Sequence, residues 1–177
     1  VECDSVPVAE VLTAIDNCGV ANVLPVFQTR IDGNCINNYT LVRLWKAIDL
    51  CGNFTFHKQI IEVIDSTDPT IVSVPDYMLE GCNAAWPQLT TTWSDNCSAG
   101  GSVSGVAGDV VTSEDGCTQS RTYTFSVTDD CGNSASVSTV VTRTYDVTAP
   151  AIVSISDYML EGCNAAWPQL TTTWSDN

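Results

Sequence analysis

The chain has 177 residues, with 21 acidic against 6 basic side chains, for a formal net charge of −15. That balance excludes nucleic-acid binding, which needs clustered Lys and Arg, and the single histidine, His57, leaves no basis for His-based triads or His-rich metal sites. No apolar run approaches the roughly 20 residues of a membrane-spanning helix, so no membrane insertion is expected, and 21 Val with 21 Thr point to strands.

In chain order, residues 1–66 carry Cys3, Cys18, Cys35 and Cys51, and a segment in which Arg43, Trp45 and Ala47 alternate onto one face. A joint follows, Asp65-Ser-Thr-Asp-Pro-Thr-Ile71. Thr70–Leu79 reads as a strand ending at a Glu80-Gly81-Cys82 turn. Pro87 opens a second strand, Gln88–Trp93, closed by Asp95-Asn96-Cys97. The Gly-rich residues 98–108 hold short strands or loops. Between Arg121 and Thr128 the pattern alternates cleanly, with Tyr123, Phe125 and Val127 on one face and Thr122, Thr124, Ser126 and Thr128 on the other. After the turn Asp129-Asp130-Cys131-Gly132-Asn133, Val137–Tyr145 forms a last strand, and Asp146-Val-Thr-Ala-Pro-Ala-Ile152 repeats the joint. Residues 157–177 then duplicate residues 76–96 letter for letter, at an offset of 81.

That duplication is the strongest signal in the sequence. A weaker echo sets Cys3, Cys18, Cys35 and Cys51 against Cys82, Cys97, Cys117 and Cys131. The expected organisation is all-β, in tandem immunoglobulin-like β-sandwich repeats of about 80 residues with two disulfides per repeat. Residues 1–66 are a repeat lacking its first strand, 67–147 a complete repeat, and 148–177 the first strands of a third, so the chain reads as a piece of a longer array. A subunit that donates its C-terminal strand to a neighbour is the competing reading. So small a core calls for cross-links. Cysteines at opposite ends of one extended strand lie beyond disulfide reach. Up-and-down winding therefore predicts Cys82–Cys117 and Cys97–Cys131, with Cys3–Cys35 and Cys18–Cys51 in the first copy. Zinc binding lacks the close Cys-x-x-Cys spacing such sites show, and oxidised cysteines place the chain outside the cytosol.

Together these strings resemble a known family. The D-x-T-x-P joint, the D-N-C turn, the stretch TYTFSVTDDCGNSAS and its first-copy counterpart RLWKAIDLCGN are similar to the hyalin-repeat (HYR-like) group of immunoglobulin-type domains. The similarity is greatest to the cysteine-bearing form strung in tandem through giant secreted surface adhesins of Bacteroidota. It implies extracellular display at the cell surface, a stalk or fibre, and cell adhesion. Partners would then be neighbouring repeats or copies of itself, or surface glycans. The first copy departs at Leu50, where the second has Asp130.

Two further sites stand out in this reading. Winding sets the linker acids Asp65 and Asp68 against Asp95, Asp129 and Asp130 of the next copy, an oxygen-rich cluster that suits Ca²⁺. The plainer account is that Asp and Asn occupy turns because their side chains satisfy local backbone donors. No cofactor is required. Trp86 and its copy Trp167 are candidates for an aromatic glycan platform, set against simple strand packing. The acid pair Asp129 and Asp130 sits in a turn without a pocket, so no enzyme activity is expected.

Overall fold

The structure, a computed structural model, describes residues 1–25, 27–161 and 163–176. It is all-β. Apart from a 3-10 turn at Cys3–Ser5, the described elements are β1 (Ala21–Val23), β2 (Phe27–Asp32), β3 (Tyr39–Asp49), β4 (Phe54–Val63), β5 (Thr70–Ile71), β6 (Tyr77–Cys82), β7 (Thr90–Ser94), β8 (Gly101–Ser104), β9 (Val106–Thr112), β10 (Thr118–Thr128), β11 (Ser134–Thr144), β12 (Ala151–Ile152) and β13 (Trp174–Ser175). The chain divides into two compact units, 1–74 with 88–106 and 124–138, and 75–87 with 107–123 and 139–177. These units cut across the sequence segments 1–66, 67–147 and 148–177, because residues 67–74, 88–106 and 124–138 group with the first segment.

In the first unit, β3 is the organising strand. β4 pairs antiparallel along one edge, from Tyr39↔Val63 to Ile48↔Phe54. Along the other edge β2 pairs at Asp32↔Tyr39 through Phe27↔Leu44, and β1 continues at Val23↔Ala47 through Ala21↔Asp49. Period-2 alternation buries Leu41, Arg43 and Trp45 on one face of β3, and Leu41 packs in a cluster with Ile61 and Val63. A second sheet, β5-β7-β8, is antiparallel, with Ile71 opposite Trp93 and Thr91 opposite Val103.

The remaining large sheet runs β6-β11-β10-β9. The alternation expected between residues 121 and 128 holds, since Tyr123, Phe125 and Val127 are buried. The single strand expected over Thr70–Leu79 is split. Pro75 lacks the N–H a ladder needs, and Asp76 turns its carboxylate onto the Val140 backbone N–H at 2.7 Å. β5 therefore pairs antiparallel with β7, whereas β6 pairs parallel with β11.

Both long hairpins turn through the same chemistry. In Asp49-Leu-Cys-Gly-Asn53, Asp49 Oδ1 accepts from the backbone N–H of Cys51 and Asn53 at 2.9 and 2.8 Å, and Oδ2 accepts from the Asn53 side-chain amide at 2.8 Å. Asp129 does likewise with Cys131, Gly132 and Asn133 at 2.7–2.9 Å. Gly52 and Gly132 sit at φ +89° and +98°, a region L side chains avoid. Leu50 and Asp130 are the exposed tips and take no part in these bonds.

The two copies also solve one packing problem with different residues. Tyr123 donates its hydroxyl to the Pro87 carbonyl at 2.9 Å, and in the first copy the equivalent Arg43 donates Nη2 to the Pro7 carbonyl at 2.6 Å. Arg43 is only 4% exposed, and its guanidinium also meets Gln28 and Gln59 instead of a carboxylate.

Because Phe125 is wholly buried and its neighbour Thr124 faces out, Phe125→Ala is expected to lower the unfolding free energy by about 3–5 kcal/mol. Thr124→Ala should change it by no more than about 0.5 kcal/mol. Urea denaturation of both variants checks this.

Candidate functional site

The densest polar chemistry lies within the first unit, where the linker 65–69 leaves the first sequence copy and enters the second. Two disulfides close it. Cys3 is bonded to Cys97 and Cys35 to Cys131, with Cα separations of 5.7 and 5.2 Å. The expected pairings Cys3–Cys35 and Cys97–Cys131 are thus replaced by bonds from one copy to the other. Cys18, Cys51, Cys82 and Cys117 carry free thiols, so Cys18–Cys51 and Cys82–Cys117 are not formed.

The reason is local. Winding does bring like ends together: Cys82 pairs across from Thr144, and Cys117 accepts from the Tyr145 N–H at 2.9 Å. In the same way the chain leaving β4 runs beside Val1, whose carbonyl takes the Ile64 N–H. At the joint, however, the turns bearing Cys97 and Cys131 meet Cys3 and Cys35, and each sulfur closes on its partner from the other copy.

Around the sulfurs, the linker is held by side chains from both copies. Asn38 Oδ1 accepts the Asp65 N–H at 2.7 Å, and Asn37 Nδ2 donates to the Cys97 carbonyl at 3.2 Å. Asn133 Nδ2 reaches the Asp65 carbonyl at 3.2 Å and its Oδ1 at 3.3 Å. Glu2 binds the Ser66 hydroxyl and N–H. Asp68 accepts the Ser134 N–H at 3.3 Å.

Within this frame three carboxylates converge. An oxygen each from Asp65, Asp95 and Asp129 lies within 4.8 Å of the others, and Glu2 approaches Asp65 as closely. Asp95 Oδ1 is occupied by the N–H groups of Cys97 and Ser98 at 2.8 and 2.7 Å. Asp65 Oδ2 and Asp95 Oδ2, in contrast, are buried without a hydrogen-bond partner. Among the described residues the single ion pair is Arg30–Asp32, so no Arg or Lys neutralises the cluster. Burial pushes the Asp65 carboxyl above its usual range, and the Asp129 and Asp95 carboxylates push it the same way. Burial also works to raise Asp129, but the Asn133 side chain and the backbone N–H groups of Asn133, Cys131 and Gly132 together outweigh it and hold it low.

Asp65, Asp95 and Asp129 each offer a carboxylate oxygen to one shared space, and Oδ2 of Asp65 and of Asp95 lacks a hydrogen-bond partner. That donor set fits a hard divalent cation such as Ca²⁺, which takes 6–8 oxygens. Asp65, Asp95 and Asp129 would hold it and water would complete the shell. Of the five acids read from the sequence, these three come together. Asp68 is exposed and holds a backbone N–H, and Asp130 is an exposed turn tip. The plainer reading accounts for Oδ1 of both turn acids but leaves the inner oxygens of Asp65 and Asp95 without a role. Glu2, Asn37, Asn38 and Asn133 were not singled out as site residues, although Asn133 belongs to the recognised turn.

The tryptophans divide by context. Trp86 is half-buried, with the Arg143 guanidinium 4.7 Å from its ring centroid, and Trp93 lies close under Gly101. Trp167 and Trp174 are 88% and 71% exposed. No helix among the described residues is long and apolar enough to cross a membrane. No family model matches the chain, and no curated protein matches it.

The raised Asp65 carboxyl gives a signed expectation. A carboxyl whose folded-state pKa is raised contributes stability when protonated, and that stability is lost as pH rises through the folded value. In EDTA at pH 7, Asp65→Asn should therefore melt higher than the parent, by on the order of 2–4 °C for each kcal/mol of relieved repulsion. The difference should vanish once pH falls below the ordinary carboxylate range. Calorimetric melting across pH 3–8 would read it, and a lower melting point for Asp65→Asn at pH 7 would count against the account.

Proposed function

We propose that this chain is a segment of an extracellular stalk or fibre, built from tandem immunoglobulin-like repeats and displayed at a cell surface in an adhesive role. The observation that carries the reading is the pair of bonds Cys3–Cys97 and Cys35–Cys131, which join one sequence copy to the next. Covalent closure of a joint suits a chain that transmits tension, and structural disulfides belong to oxidising compartments. The net charge of −15 keeps neighbouring fibres apart. The joint chemistry is positional and offers no reacting centre, so the role is mechanical. Contact with surface glycans, if any, would fall to exposed residues such as Trp167.

The carboxylate cluster belongs to the same function. Ca²⁺ bound by Asp65, Asp95 and Asp129 would neutralise their repulsion and stiffen the joint.

A second reading, a filament subunit that exchanges strands between chains, has one observation in its favour. In the first copy a groove of ≈ 490 Å³ is lined by Leu12, Val23, Trp45 and Phe56, and Val11 and Ile15 are 96% and 100% exposed.

Two measurements test these readings. Antibodies to the chain should label fibres projecting from intact source cells, with contour length growing in step with the reducing mass of the protein. Labelling confined to the cytosol would end the proposal, and fibres far longer than one chain would favour the exchanging filament. Separately, Ca²⁺ at a hundredfold excess over its Kd should stabilise the parent by about 2.7 kcal/mol and Asp65→Asn much less. The absence of calorimetric heat at millimolar Ca²⁺ would remove the cation from the account.

A further inference from the structure

Four of the five free cysteines fall into two pairs. Cys18 and Cys51 line one cavity of ≈ 260 Å³ together with Asp16, Asp49 and Asn53. In repeat register these are Cys97, Cys131, Asp95, Asp129 and Asn133, at offsets of 79 or 80, which is the set that forms the second-copy side of the closed joint. The local geometry agrees. Asp16 Oδ1 accepts the Cys18 N–H at 2.9 Å as Asp95 does for Cys97, and Asp49 repeats every bond that Asp129 makes with Cys131 and Asn133. Copy one thus presents an open half of the joint described above.

The complementary half occurs in the second unit. Cys82, Cys117 and Asp146 are the register equivalents of Cys3, Cys35 and Asp65, and Cys82 and Cys117 flank the end of β11 at Thr144 and Tyr145. Burial and the charges of Asp115, Asp146 and Asp176 all push the Cys117 thiol up. In repeat register Asp176 is the equivalent of Asp95. The register puts the equivalent of Cys97 next after Asn177, outside the residues of this chain.

We infer that Cys82 with Cys117, and Cys18 with Cys51, are the two open halves of further covalent joints, each built to take another copy of this repeat through two disulfides. Cys82 and Cys117 bond the Cys97-type and Cys131-type cysteines of a following copy, and Cys18 and Cys51 bond the Cys3-type and Cys35-type cysteines of a preceding one. No copy then closes a disulfide within itself. Each bond forms by thiol–disulfide exchange: two thiols give up two protons and two electrons, and a small-molecule disulfide such as oxidised glutathione accepts them and leaves as two thiols. The inference rests on the tandem register in the proposed function and not on the stalk itself, so the two fail separately.

The test extends the full chain with its own repeat, appending residues 97–147 after Asn177, and folds it in a glutathione redox buffer beside the unextended chain. Alkylation and non-reducing peptide mapping then read every cysteine. In the unextended chain Cys82 and Cys117 are expected to be alkylated. In the extended chain both should be fully protected and linked to the appended cysteines, while Cys3 and Cys35 stay protected on Cys97 and Cys131. The double variant Cys82→Ser with Cys117→Ser should return both appended partners to the alkylated pool. Persistent alkylation of Cys82 and Cys117 in the extended chain, or a bond between those two, would overturn the inference.

Discussion

Like charges do not collect in a protein interior unless something holds them there. At the joint between the two sequence copies, the carboxylates of Asp65, Asp95 and Asp129 meet within 4.8 Å with no cationic side chain among them. Two covalent bonds hold that arrangement in place. Each spans a sequence separation of 94 or 96 residues, and closing a loop of about 100 residues is worth about 4.7 kcal/mol in the chain-entropy model. That is large beside the 5–15 kcal/mol typical of a whole domain. The joint therefore tolerates a repulsive cluster that would open a merely packed interface.

The turns explain why the sulfurs meet where they do. In Asp129-Asp130-Cys131-Gly132-Asn133 the first carboxylate accepts from backbone N–H groups and from the Asn133 amide, a purely local set of bonds that fixes the turn carrying Cys131. Asp95 does the same for Cys97 with fewer bonds. Each turn thus sets a cysteine and an acid at a fixed spacing. Where two turns are brought together, a disulfide pair and a carboxylate cluster arise side by side. Asn133 links the two, because its amide also reaches across to Asp65.

Much of this was legible in the sequence. Period-2 alternation located β10 and its buried face, since nothing competes with burial of Tyr123, Phe125 and Val127. Turn composition located the acids, and winding set Asp65 and Asp68 against Asp95, Asp129 and Asp130, of which Asp65, Asp95 and Asp129 converge. Local rules failed where a choice between partners had to be made. Winding correctly put Cys82 and Cys117 at one end, but cannot say whether a sulfur closes on its neighbour in the same copy or on one delivered from the next. The split of the strand expected over Thr70–Leu79 turned on Asp76 competing for the Val140 N–H, a contact 64 residues away. Arg43 looked like a core position by pattern and is one, although its burial depends on the Pro7 carbonyl and two glutamines that no periodicity reveals.

The crossing of the two bridges also bears on proteolytic damage. Cys3 reaches Cys97 and Cys35 reaches Cys131, so the loops they close overlap. A backbone cut between residues 3 and 35 leaves the pieces tied through Cys97, and one between residues 97 and 131 leaves them tied through Cys35. Between residues 35 and 97, a span that includes the exposed linker residues Ser66, Thr67 and Asp68, both bonds bridge the break. A single protease nick over this whole stretch would sever the polypeptide without parting the molecule.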